Sequence, residues 1–195
     1  MSAAELEKAT VASSDLAGYG IEKVLSATAA SRRTADPAEC TPVAQALGGS
    51  SGYDAVARVG RMVSSKEDSG SGAHMILSSH RDQDAAKVIA ELRSAAEECE
   101  AFEDVTAEFA YEDVELRDDP GYGDESVSVR LTQVVPDTGD EEPIRVPYTV
   151  LAVRQGATVA MFTEFNRPRG AEGSEPAVVP EAIVEAQVKK LTDAG

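Results

Sequence analysis

Residues 82–99, DQDAAKVIAELRSAAEEC, decide how this chain folds. Ala85, Val88, Ile89, Leu92, Ala96 and Cys99 recur at spacings of three and four. That spacing predicts one apolar stripe on an amphipathic helix. Asp82 or Asp84 stands where a cap belongs, and acids there suit the positive end of the helix dipole. A one-sided stripe needs an apolar surface to cover, and the rest of the chain reads as the strands that supply it.

Downstream, Val105, Ala107, Phe109 and Tyr111 alternate with Thr106, Glu108 and Ala110, which predicts a strand. The phase then slips to Val114 and Leu116, which places a bulge near Glu112-Asp113. Residues 117–124 are a loop, and Val127, Val129 and Leu131 resume the alternation. Beyond an acidic turn at 136–143, Ile144 to Val153 is apolar on both faces, as a central strand would be. Gln155-Gly156 turns the chain and Thr158 to Phe165 returns. A loop over 166–179 precedes Pro180, which opens a last helix with Val184, Val188 and Leu191 as its stripe.

Upstream, residues 1–14 read as a flexible segment or tether, followed by a turn at 15–20 and a strand from Ile21 to Thr28. Asp36 and Pro37 open a helix that Gly48-Gly49 closes. Residues 55–63 and 73–79 form a hairpin with a long tip, SSKEDSGSG. There is no internal repeat. The expected architecture is α+β: one domain over 15–195, an antiparallel sheet with helices packed mainly on one face.

Pairing the later strands locates a candidate site. A connection at 136–143 sets Arg130 opposite Thr149 and Val129 opposite Val150. A tip at Gln155-Gly156 sets Thr149 opposite Phe162 and Val150 opposite Met161. One face then carries Val127, Val129, Leu131, Val146, Tyr148, Val150, Val159 and Met161 and is the core. The other carries Arg130, Thr149 and Phe162 among Ser128, Thr132, Leu151 and Ala160. It is a groove for a ligand or a surface under the N-terminal segment, and most half-apolar faces are packing surfaces.

The composition excludes several roles. A net charge of -17 argues against nucleic acid and anionic membrane as partners, since both repel such a chain at close range. No apolar run is long enough to span a bilayer, and no signal peptide leads the sequence. A cytosolic protein has this appearance, and so does an exported one after its signal has been cut away. His74 and His80 lie six residues apart on an extended stretch, roughly 20 Å, too far to share a metal. Ser78, His80 and Asp82 are near in sequence, which does not make a triad. No phosphate loop, zinc spacing or G-x-S-x-G is present. No cofactor is therefore expected, and no reaction is indicated.

The two cysteines leave a choice. Cys40 shares a helix face with Val43, Ala44 and Leu47, and Cys99 ends the stripe of the main helix. Both point toward one interior, and spacing alone leaves a bridge and a pair of core thiols equally open. A bridge would close a loop of roughly 60 residues and contribute about 4 kcal/mol.

The order of these parts resembles a known group. A polar N-terminal segment leads to DLAGY, then a short helix with a cysteine, a hairpin, and AAKVIAELRSAAEEC; the chain closes with VPYTVLAVRQGATVAMF and a helix containing VKKL. In this layout it resembles actinobacterial extracytoplasmic lipoproteins. More distantly it is similar to the extracellular sensor domain of PknH-type Ser/Thr kinases. The resemblance covers most of residues 15–193. It implies an extracytoplasmic address, with a lipid anchor in the native precursor as the only link to membrane, and a Cys40–Cys99 disulfide. It also implies a non-enzymatic role, binding a small ligand or an envelope protein. A structural or assembly module, and then a hydrolase, are the alternatives. The kinase domains carry two disulfides where this chain has cysteines for one.

Overall fold

The computed structural model describes residues 1–24, 32–67, 71–136, 142–166 and 175–195. The main helix, α3 (Asp82–Glu98), buries Ala85, Val88, Ile89, Leu92, Ala95 and Ala96, the expected stripe, and Cys99 closes it. Its start differs from expectation. Arg81 occupies the cap position and no side chain caps the helix. Asp84 instead pairs with Arg81 at 3.7 Å and Lys87 at 3.6 Å.

Beneath α3 lies a sheet of nine strands among the described residues: β1 (Tyr19–Lys23), β2 (Ala35–Asp36), β3 (Ala57–Ser65), β4 (Gly72–Ser79), β5 (Phe102–Asp104), β6 (Phe109–Leu116), β7 (Glu125–Val135), β8 (Ile144–Gln155) and β9 (Thr158–Phe165). Their order is β1-β3-β4-β9-β8-β7-β6-β5-β2, with every neighbouring pair antiparallel. The α+β class is the expected one. β8 holds the middle place, and Val150, Leu151, Ala152 and Val153 are all buried along it, as its two apolar faces require.

Three further α-helices lie among the described residues: α1 (Ala3–Lys8), α2 (Thr41–Leu47) and α4 (Glu181–Ala194). They divide between the faces of the sheet instead of gathering mainly on one. On the near face α2 and α3 enclose Val127, Val129, Leu131, Val150, Ala152, Val159 and Met161. On the far face α1 and α4 enclose Val59, Val63, Met75, Leu77, Leu151, Val153, Ala160 and Phe162. The segment read as a tether thus contains α1 and packs, with Leu6, Ala9 and Val11 buried. A capping box between Ser2 and Glu5 starts it. The buried Gln187 of α4 holds its end, accepting from Val11 N at 3.0 Å and donating to Ala9 O at 2.8 Å.

Other boundaries move for identifiable reasons. Pro37 opens a 3-10 turn, Ala38–Cys40, before α2, and Asp36 pairs in β2 instead of capping. The strand expected over 105–111 is interrupted by a turn. Asp104, fully buried beside Arg33 at 3.2 Å, accepts from Thr106 N at 3.0 Å and Ala107 N at 2.9 Å. Those bonds curl the backbone where alternation alone predicts extension. The bulge lies where expected, with Asp113 at φ 53° and the register shifting between Glu112 and Glu115. Part of the strand expected to Thr28 and part of the 136–143 turn lie outside the described residues.

Candidate functional site

The register of β7 and β8 is the expected one, Arg130 opposite Thr149. The next hairpin turns one residue later than expected, at Gly156-Ala157, because Gly156 takes φ 58° and Gln155 pairs with Thr158. The slip amounts to two residues across the pair and keeps each side chain on its expected face. It sets Glu164, not Phe162, opposite Thr149, and Phe162 opposite Leu151. The far face therefore carries a row across four strands: Glu115, Arg130, Thr149 and Glu164.

The three expected site residues have different surroundings. Phe162 is fully buried under α1 and α4 and belongs to the core. Thr149 is also buried, and its hydroxyl donates to Ala177 O at 2.7 Å, where the chain crosses the sheet on its way to α4. Arg130 is half-buried, and among the described residues no ion pair or hydrogen bond engages its guanidinium. Its cross-strand neighbour Glu115 pairs with Arg117 instead. Around it the backs of β6 and β7, with Glu112, Ser128 and Thr132, stay partly open.

Glu164 was missed from sequence because the hairpin tip was placed one residue early. It is half-buried, and burial pushes its carboxyl up to about 7. Arg130 and Glu164 stand two strand spacings apart, roughly 10 Å. The row can offer a cation to an anionic group and a protonatable carboxyl to a second polar group. It holds no nucleophile poised against a base.

Elsewhere, α1 and α4 frame a groove of about 490 Å³ lined by Lys8, Asp15, Lys189, Lys190 and Asp193. Lys190 reaches Asp15 at 2.8 Å and Lys189 reaches Asp193 at 2.6 Å, so two of its three cations are already paired. His80 Nε2 lies 2.8 Å from Ser78 Oγ, and both residues are buried. Burial and the nearby Arg58 push the His80 imidazole down, against the pull of the Asp54 carbonyl and the Asp84 carboxylate. His74 is likewise lowered by burial and lies opposite Met62 and Thr163, away from His80. Among the described residues no cluster of three or more metal-binding side chains occurs.

The cysteines settle what spacing left open. Cys40 and Cys99 are bonded, their Cα atoms 5.4 Å apart, and both are buried between α2 and α3. No family model matches this chain, and no curated protein matches it. Among solved structures it is similar to the extracellular domain of PknH from Mycobacterium tuberculosis. The TM-score is 0.59 over 100% of this chain and 96% of that one, at 11% identity. The two share a fold. A Mycobacterium smegmatis protein, the Rv0999 ortholog, aligns over 98% of this chain and 92% of its own, with TM-score 0.42 and 13% identity.

Proposed function

We propose that this chain is a non-enzymatic extracytoplasmic domain of the cell envelope that binds a small anionic ligand or envelope component. The observation that carries the address is the Cys40–Cys99 bond. Such bonds persist where thiols are not kept reduced, and two buried sulfurs without a metal or catalytic partner have a structural use. The shared fold with a kinase's extracellular domain supports the same reading. The binding role rests on Arg130, a half-buried cation without a partner among the described residues in a chain of net charge -17. Its Thr149 neighbour fixes the strand, and Glu164 bounds the row. The buried Ser78–His80 pair supports a role without catalysis.

Two measurements test this. Thiols trapped in intact cells of the source organism are expected to be fully oxidised, and protease added outside spheroplasts is expected to cut the protein. Free thiols together with protection from protease overturn the address. Native mass spectrometry of the oxidised protein with envelope extracts is expected to reveal an added mass that Arg130→Ala removes. A chain that captures nothing, or one in which Arg130→Ala retains the same mass, overturns the assignment of ligand to this row.

A further inference from the structure

Arg130 stands in a line of polar side chains along β7. Val127, Val129 and Leu131 are buried on the near face, while Ser128, Arg130 and Thr132 stay half-exposed on the far one. Residues two apart on a strand lie about 7 Å from each other. A hydroxyl therefore flanks Arg130 on either side, and neither makes a side-chain hydrogen bond among the described residues. Neighbouring groups wall this line in. On the β8 side the chain passes over the sheet at Ala177, where the Thr149 hydroxyl holds it at 2.7 Å. On the β6 side stands the ion pair of Glu115 with Arg117. Beyond Thr132, Glu112 of β6 and Arg145 of β8 form an ion pair that spans β7. The line is the floor of a trough bounded on three sides.

Charge limits what can lie there. Glu112 and Glu115 are each neutralised by an arginine, so the trough keeps one uncompensated charge, that of Arg130. A ligand with a single negative charge completes it. A second negative charge would meet the two carboxylates within a chain of net charge -17. The donors limit its shape. Strand amides lie in the plane of the sheet, directed at the neighbouring strands and not up from the floor. The donors that face the trough are the Arg130 fork and the two hydroxyls. A planar carboxylate engages such a fork through two parallel bonds, whereas a tetrahedral phosphate leaves oxygens without a donor. Serine and threonine hydroxyls donate and accept, which suits hydroxyl groups on the rest of the ligand.

On the reading of Arg130 as the anion-binding residue, we infer that the ligand is a singly charged, polyhydroxylated carboxylate, the chemistry of a sugar acid. Its carboxylate lies in the Arg130 fork, and its hydroxyls meet Ser128 and Thr132. A free sugar acid and a uronate residue of an envelope glycan share this chemistry.

Calorimetric titration of the oxidised full chain at neutral pH tests it. Glucuronate is expected to bind. Glucose lacks the carboxylate, acetate lacks the hydroxyls and glucarate adds a second carboxylate; each is expected to bind more weakly by roughly tenfold or more. Arg130→Lys keeps the charge, removes the fork and is expected to weaken glucuronate roughly tenfold. Ser128→Ala combined with Thr132→Val is expected to weaken it by a similar factor. Thermal unfolding checks that both variants fold, and if either does not, the ligand series on the wild type decides alone. Binding of glucuronate itself assigns a free sugar acid; binding only of a glucuronate-containing oligosaccharide assigns a glycan residue. Acetate, glucose or glucarate bound as tightly as glucuronate overturns the sugar-acid assignment, as does a hydroxyl double variant with unchanged affinity. In those cases Arg130 keeps its role with a different anion. Failure of every uronate to bind overturns the inference in the same way. Glucuronate binding that survives Arg130→Ala overturns the role of Arg130, and the inference with it.

Discussion

The two sides of the sheet are closed by different means. On the near side, neighbouring helices α2 and α3 are joined covalently through Cys40 and Cys99 over a continuous apolar layer. On the far side, α1 and α4 come from opposite ends of the chain and meet through polar bonds. Gln187 spans Ala9 and Val11, Glu7 binds Arg61 at 2.8 Å and contacts Lys23, and Asp15 binds Lys190. The near side adds one covalent link, across a sequence separation of 59, to its apolar layer. The far side adds long-range polar contacts to its own apolar layer, and losing the Gln187 bonds leaves buried groups unpaired.

Removing the link should have the largest effect. Cys40→Ala with Cys99→Ala frees a loop with a sequence separation of 59. We expect a loss of about 4 kcal/mol and a midpoint lower by roughly 10 °C in thermal unfolding. Amides of α2 and β5 should exchange faster while those of α1 stay protected. Gln187→Ala is the converse experiment. It leaves the Ala9 carbonyl and Val11 amide buried without partners, at a cost of about 2 kcal/mol. Exchange should quicken in α1 and not in α3. Equal acceleration in both helices would show that the two sides open as one unit.

Much of the near side was legible in the sequence, because its signals are periodic. The stripe of α3 is buried at each expected position, and the two apolar faces of β8 marked the centre of the sheet. Signals that depend on side-chain-to-backbone bonds were not legible. Val105 to Tyr111 alternates like a strand, yet Asp104 ties down the amides of Thr106 and Ala107. Residues 1–14 offer Leu6 and Val11 as their large buried anchors, too little for a periodic signal, and what fixes them stands at residue 187. The candidate site was half legible for a similar reason. Arg130 and Thr149 were paired correctly, whereas one residue at a glycine tip exchanged Glu164 for Phe162.

The pH dependence of stability sharpens the contrast on the far side. Glu164 titrates at about 7 in the fold, above its ordinary value of 4.5. The folded state therefore holds the proton more tightly than the unfolded chain. The associated stability is fully present below pH 4.5 and is lost as pH rises through 7. Glu164→Gln should flatten that part of a pH series of urea unfolding and make the protein more stable at pH 8. A decline that persists unchanged would assign it to other groups. The smallest effect is expected from Lys190→Ala. It breaks the partly exposed pair with Asp15 and should shift stability by no more than about 1 kcal/mol in the same assay.

The clasp between residue 187 and residues 9 and 11 also constrains the order of events when the chain is made. A polypeptide that emerges vectorially, from a ribosome or through a translocon, presents α1 long before its clasp exists. The near side completes its contacts by β9, whereas α1 can settle on β3 and β4 early and gains its clasp only when nearly the whole length has appeared.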